Sequence, residues 1–288
     1  MTEPLYTESI YDQVTWKRLG SQHLDGYDSP EYGALLIAKD EYPELDIIQC
    51  LIQMEVHALE AKRDVPDGAD AITTMRALNR YLFVEQGFAG NHDDYYDVRN
   101  NYLSDVLERR LGNPLSLAIV QIGLARRLGV PLRGVSFPGH FLLRLDLDDG
   151  MLVLDPFNQG RTLDEDELRR RADPDDPGGG PSDRALAGLL RPASVRTMLI
   201  RLLRNLIGIH SAHHDWARVA RCADRVLLLS PEDVDAMRDR GLAYLSLGHM
   251  HGAQTDLQRY LQLQPQAADA GMLRERLIDA GRSSMRLQ

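Results

Sequence analysis

Residues 110–160 read RLGNPLSLAIVQIGLARRLGVPLRGVSFPGHFLLRLDLDDGMLVLDPFNQG. Asn113 suits a helix N-cap, and Pro114 suits the first helical position, where its missing N–H costs nothing. Apolar residues then run almost all round the helix: Leu115, Leu117, Ala118, Ile119, Val120, Ile122, Leu124, Ala125 and Leu128. A helix apolar on every side is a buried one. Arg126, Arg127 and Gly129 close it, and Val130-Pro131 ends the pattern. Residues 135–147 are rich in strand formers, with His140, Leu142 and Arg144 on one face. Asp148-Asp149-Gly150 reads as a hairpin turn, and residues 151–155 as the return strand that Pro156 stops. Pairing Leu145 with Gly150 places His140 opposite Asp155. A carboxylate beside an imidazole fixes its tautomer and raises its basicity. A slip of one residue would part them.

Upstream, spaced apolar residues predict helices over 31–40, 45–63 and 71–86, with Pro43 between the first two. Residues 87–101 differ. They gather Asn91, His92, Asp93, Asp94, Tyr95, Tyr96, Asp97, Arg99 and Asn100 into a loop just before the buried helix. Loops of this chemistry line sites, so Asn91, His92, Tyr95, Tyr96, Asp97, Asn113 and Pro114 are candidate residues of a cleft around His140. The Asp and Asn residues also suit capping and turns. No ligand spacing in the chain is diagnostic of a metal: His210 and His214 share a helical face but lack the Glu of an H-E-x-x-H arrangement. No metal and no cofactor is expected.

The segments GNPLSL, RRLGVPLRGVSFPGHFLLRL and LDPFNQGRTLDEDEL, with LLIAKDEYPELD, ALNRYLFVEQGFAGN and YYDVRNNYLSDVLERRLGNP before them, resemble the transglutaminase-like core of the bacterial SirB-type family. The resemblance covers about residues 34–170. It implies a transglutaminase or papain-like fold and, by position, a match of His140 and Asp155 to the superfamily's catalytic His and Asp. The superfamily's Cys would fall at Pro114 or within a residue or two, where the chain offers Asn113, Pro114, Leu115 and Ser116. Ser116 is the one hydroxyl there. Cys50 and Cys222 lie elsewhere, read as small core residues.

Composition bounds the function classes. The chain has 288 residues and 43% hydrophobic content, enough for two domains. No apolar run is long enough to span a bilayer, and the first residues lack the regions of a signal peptide. Two cysteines without paired spacing point to the cytoplasm. Residues 1–183 carry 18 Lys and Arg against 33 Asp and Glu, a net −15; residues 184–288 carry 15 against 10, a net +5. The acidic part repels nucleic acid, so no nucleic-acid partner is expected.

Asp173-Pro174-Asp175-Asp176-Pro177-Gly178-Gly179-Gly180-Pro181 continues neither helix nor strand. It marks a linker over 173–183, between a first domain at 1–172 and a helical one at 184–288. Leu229-Ser230-Pro231 recurs as Leu263-Gln264-Pro265, with prolines 34 residues apart, and Gly241, Ala243-Tyr244, Leu247-Gly248, Ala253 and Tyr260 lie between. These resemble the tetratricopeptide signature. A looser unit precedes it and a capping helix follows. Stacked repeats of this kind build grooves for peptides, for which Asn205 and Tyr244 are the candidate contacts. The expected fold class is α+β: a helical N-terminal region, a transglutaminase/papain-like core of helix plus antiparallel sheet, then an all-α tetratricopeptide-like domain.

Two functions fit. In the first, the chain is non-catalytic and binds a protein or peptide partner through its cleft and its repeat groove. In the second, it is a hydrolase or acyltransferase with Ser116 as nucleophile, His140 as general base and Asp155 as orienter. The oligomeric state is not written in the sequence.

Overall fold

A computed structural model describes Trp16, Leu19 and residues 29–173 and 180–285. The chain forms two compact units. One is His23–Leu202; the other combines Met1–Gln22 with Leu203–Gln288.

In the first unit, α1 (Pro30–Glu41), α2 (Ile47–Lys62) and α3 (Ala71–Asn79, continued by a π-helical stretch Arg80–Glu85) precede a short parallel pair, β1 (Ala89–Gly90) and β2 (Leu111–Gly112), with α4 (Leu103–Arg109) between them. Asp46 and Asp70 cap α2 and α3 by accepting the amides of Gln49 and Thr73. The central helix α5 (Pro114–Arg127) begins where the sequence predicts, with Asn113 as cap and Pro114 first; residues 114–125 are all buried. Gly129 follows with φ +77°, the left-handed turn that favours glycine.

Four antiparallel strands follow in sequential order: β3 (Leu132–Val135), β4 (Leu142–Leu147), β5 (Gly150–Asp155) and β6 (Arg161–Leu163). This corrects two expectations. Residues 135–147 are not one strand. Phe137-Pro138-Gly139-His140 is a tight turn, closed by the His140 amide donating to the Phe137 carbonyl at 3.2 Å, with Gly139 at φ +66°. Proline second and a positive-φ glycine third are what a type II turn requires. The hairpin register is also shifted by two: Leu147 pairs with Gly150 and Leu143 with Leu154 across a two-residue turn. His140 therefore sits before β4, not opposite Asp155.

On one face of the sheet, α6 (Glu165–Ala172) and α7 (Asp183–Leu189) supply Leu168 and Leu186, and Leu190 just past α7 joins them, to a core with Val135, Phe137, Leu142, Val153 and Leu163. Leu143 and Leu145, which alternate to the other face, are also fully buried. Pro192 bridges to Val135 at the sheet edge. Residues expected to open the helical domain thus pack on the sheet, and the compact unit runs on to Leu202. The expected linker falls largely on residues 174–179, outside the described ones.

From α8 (Val195–Ala212) onward the chain is helical: α9 (Trp216–Leu229), α10 (Val234–Ser246), α11 (Met250–Leu263) and α12 (Ala270–Met285). α10 and α11 form the 34-residue unit read from the sequence. Gly241 lets them approach: a Cβ there would lie 2.7 Å from Leu257. Arg240 ties the stack by donating to Asp256 at 2.7 and 2.9 Å and to Asp224 of α9 at 2.6 Å.

Candidate functional site

The start of α5 is a closed network. Asn113 Oδ1 accepts the amides of Leu115 and Ser116 at 3.0 and 2.9 Å. Ser116 Oγ accepts the Asn113 amide at 3.0 Å and donates to the Asn100 carbonyl at 2.6 Å. The reciprocal pair is a capping box. Asn113 Nδ2 donates to Asn101 Oδ1 at 2.6 Å, and Asn91 Nδ2 to Asn100 Oδ1 at 3.0 Å. Asn100 Nδ2 holds the Asp94 carbonyl. All five side chains are buried, so buried amide donors and acceptors satisfy one another. The loop before α5 is thereby pinned to the helix start. Asp97 caps the turn Val98–Asn100 and pairs with Arg99 and with Arg109 at 3.0 Å. Burial raises its pKa, but the hydrogen bonds from Arg99 and the Arg109 charge outweigh that and hold it below the usual carboxylate range.

Asp155 ends β5 and is 1% exposed. Its Oδ1 accepts the amides of Phe157 and Asn158; its Oδ2 accepts from Asn158 Nδ2 at 2.7 Å and from Arg171 at 2.8 Å. Among the described residues, none of these bonds goes to the His140 ring. Arg171 also pairs with Glu167, which pairs with Arg161.

His140 lies within electrostatic reach of this group. Burial and the charges of Arg171 and Arg201 lower the pKa of its imidazole, while Asp155 opposes them. Arg201 donates to the carbonyls of His140 and Phe137 and to Ser136 Oγ, and its guanidinium lies 5.6 Å from the Phe141 ring centre. These contacts fix the turn that carries His140.

His92, Tyr95, Tyr96 and Phe157 form one ring cluster. His92 and Phe157 stand 4.4 Å apart, Tyr95 and Phe157 5.7 Å, and Tyr95 and Tyr96 5.3 Å. Tyr96 is 76% exposed. Gly90 admits the Phe157 ring: a Cβ there would lie 2.5 Å from it and 2.7 Å from the Phe157 carbonyl.

The structure thus joins Asn91, Asn113 and Ser116 in one network and His92, Tyr95 and Tyr96 in one ring cluster with Phe157. It places His140 in electrostatic reach of Asp155 without a hydrogen bond. Pro114 is buried as the first residue of α5. In the second unit, Asn205 lies half-buried on α8, and Tyr244 lies half-buried on α10 with its ring 5.9 Å from Arg240. Sequence reasoning missed Phe157, Arg171 and Arg201. Arg171 ends a run of three arginines whose helical phase singles it out only once the sheet is placed. Arg201 falls beyond the expected domain boundary. Phe157 was accessible as the aromatic following Asp155-Pro156.

A helix start, an antiparallel sheet and a His and an Asp at strand ends define a transglutaminase-like core; a tetratricopeptide-like helical region follows. The family model described as "Transglutaminase-like superfamily" matches residues 48–204, and one described as "Tetratricopeptide repeat" matches residues 206–278. The chain is 56% identical over 248 residues to a UPF0162 protein of Xylella fastidiosa, covering 85% of this chain and 88% of that one. It is 35% identical to a UPF0162 protein of Pseudomonas aeruginosa, with the same coverage. It is also 27% identical over 261 residues to F-box only protein 21 of Mus musculus, covering 79% of this chain and 40% of that protein. No solved structure gives a significant match. The chain belongs to the transglutaminase-like superfamily and, within it, to the UPF0162 proteins. Among the described residues no helix is long and apolar enough to cross a membrane.

Proposed function

We propose that this protein is a non-catalytic transglutaminase-like module that binds a protein or peptide partner in the cytoplasm. One observation carries the reading: the groups that would perform the chemistry are committed elsewhere. The Ser116 hydroxyl donates to the Asn100 carbonyl inside a buried cap, and the Asp155 carboxylate is held by Arg171 and Asn158. A nucleophile needs a base within hydrogen-bond reach and an orienter behind it. Exposed His92, Tyr95 and Tyr96 beside half-buried Phe157 give an aromatic surface suited to anchoring a peptide. Asn205 and Tyr244 would serve as contacts in the repeat groove, since tetratricopeptide repeats generally mediate protein–protein interaction.

The competing reading, a hydrolase or acyltransferase using Ser116, His140 and Asp155, rests on the nearness of His140 to Asp155 and on burial and the Arg171 charge, which shift its imidazole toward the neutral form. Assays of wild type, Ser116→Ala and His140→Ala on peptide, amide and ester substrates separate the two. No turnover above background in any of the three is expected. Turnover in the wild type that both substitutions abolish, with folding intact by circular dichroism, would sink the binding reading.

A further inference from the structure

A cavity of about 640 Å³ opens in the unit His23–Leu202, and none of the residues described around His140 lines it. Its walls are the end of α5 with residues 129–134 after it, which include the start of β3, and residues 192–195 leading into α8. The size is that of a small-molecule site. Hydrogen bonds hold the two walls together: the Ala193 amide donates to the Gly134 carbonyl at 2.7 Å, and Val135 bridges to Pro192. The lining is mostly apolar, with Ile122, Val130, Leu132, Val195 and Met198. Its charged members are Arg126 and Arg133, and it contains no acid. Residues 1–183 carry a net −15, so a lining with two cations and no anion runs against its surroundings.

The local charges do not balance. Glu31 Oε1 accepts from Arg126 at 2.5 Å and from Arg127 at 2.9 Å, and Arg127 also pairs with Glu55 at 3.0 Å. Two carboxylates thus meet two guanidiniums. Arg133 is left over: it is exposed and, among the described residues, makes no ion pair. In the sheet register it stands opposite Arg144, which is held by Asp146 at 2.6 Å and by the Leu190 carbonyl at 2.8 Å. Like charges directly opposite each other cost stability, and an anion beside Arg133 would relieve that cost. The start of α8 adds to the positive potential. Ser194 Oγ accepts the Thr197 amide at 3.2 Å there, at the positive end of an 18-residue helix.

We propose that this cavity binds a small organic acid, an apolar body that carries one carboxylate. The apolar lining takes the body, and Arg133 with Arg126 takes the carboxylate through charge-assisted hydrogen bonds. One unbalanced guanidinium matches one negative charge, which favours a monocarboxylate over a phosphate dianion. The proposal does not rest on the His140 cleft or on the repeats.

Octanoate is the probe, titrated into the full chain labelled with nitrogen-15. It should bind saturably and move the amide resonances of residues 129–134 and 193–198. Octanol has the body without the charge, and acetate the charge without the body; each should bind about tenfold more weakly or worse. Arg133→Ala changes an exposed side chain and should leave the amide spectrum folded, yet weaken octanoate by about fivefold or more. Arg133→Lys, which keeps the charge, should retain most of the affinity. Octanol binding as tightly as octanoate would overturn the proposal, because the cavity would then select apolar bulk alone. So would shifts confined to residues outside the lining, an unchanged affinity in Arg133→Ala, or no binding of octanoate. Tighter binding of octyl phosphate than of octanoate would overturn the choice of a carboxylate.

Discussion

Asp155 is the residue at which a catalytic and a structural role predict opposite outcomes. Its carboxylate is 1% exposed and bonded to Arg171, whose side chain is 16% exposed. Asp155→Asn leaves Arg171 its partner Glu167 but removes the charged acceptor from a set of buried hydrogen bonds, at a cost of about 2 kcal/mol. Asp155→Asn should therefore lower unfolding free energy by about that amount in urea titration. A carboxylate that only oriented an imidazole would leave the midpoint almost unmoved. Ser116→Ala is the companion measurement. It removes the hydroxyl half of the cap while Asn113 keeps accepting the helix amides, so about 1 kcal/mol is expected. A far larger loss would mean that the hydroxyl supports more than the cap.

At the scale of elements, the turn Phe137–His140 decides where the imidazole stands. Gly139 has φ +66° and nothing within 4 Å of a Cβ built on it. Gly139→Ala thus meets no clash, only the left-handed backbone penalty of about 1 kcal/mol. Urea titration should show that loss, and the His140 ring resonances should move with the turn; an unchanged midpoint would show that the turn relaxes to another type. The same turn shows what the sequence could and could not give. The cap and first residue of α5, its Gly129 terminus and the 34-residue repeat were legible, because each rests on local chemistry at fixed spacing. The hairpin register was not, because a two-residue and a four-residue turn both suit Asp148-Asp149-Gly150 and keep the same alternation. The Pro138-Gly139 dipeptide carried the missing signal: a turn there breaks the long strand and moves His140 off it. Arg171 and Arg201 were beyond reach, since their contacts with Asp155 and the His140 turn span 16 and 61 residues.

For the molecule as a whole, the response to acid follows from two histidines in the unit His23–Leu202. His57 is buried, with Nδ1 2.7 Å from the Tyr81 hydroxyl, which in turn donates to Glu60 at 2.6 Å. Burial, with help from Arg110, lowers its pKa against the pull of Glu60, and His140 is lowered in the same sense. A histidine whose folded pKa lies below its unfolded value binds fewer protons when folded. Its contribution to stability is then fully present above the ordinary imidazole value of about 6.5 and is lost as pH falls from there toward the folded pKa. Carboxylates act in a separate window: hydrogen bonding from Arg161, with the nearby Arg171 charge, holds Glu167 at about 2, so its contribution is lost as pH falls from the ordinary carboxylate value of about 4.3 toward about 2. Urea titrations at pH 7.5, 6.5 and 5.5 should show a falling midpoint, with a slope of at most about 1.4 kcal/mol per pH unit for each histidine. His57→Gln should be less stable at pH 7.5 yet flatter between pH 6.5 and 5.5. A wild-type midpoint constant across that interval would mean that neither imidazole is held neutral by the fold, and the base that the catalytic reading requires would lose its support as well.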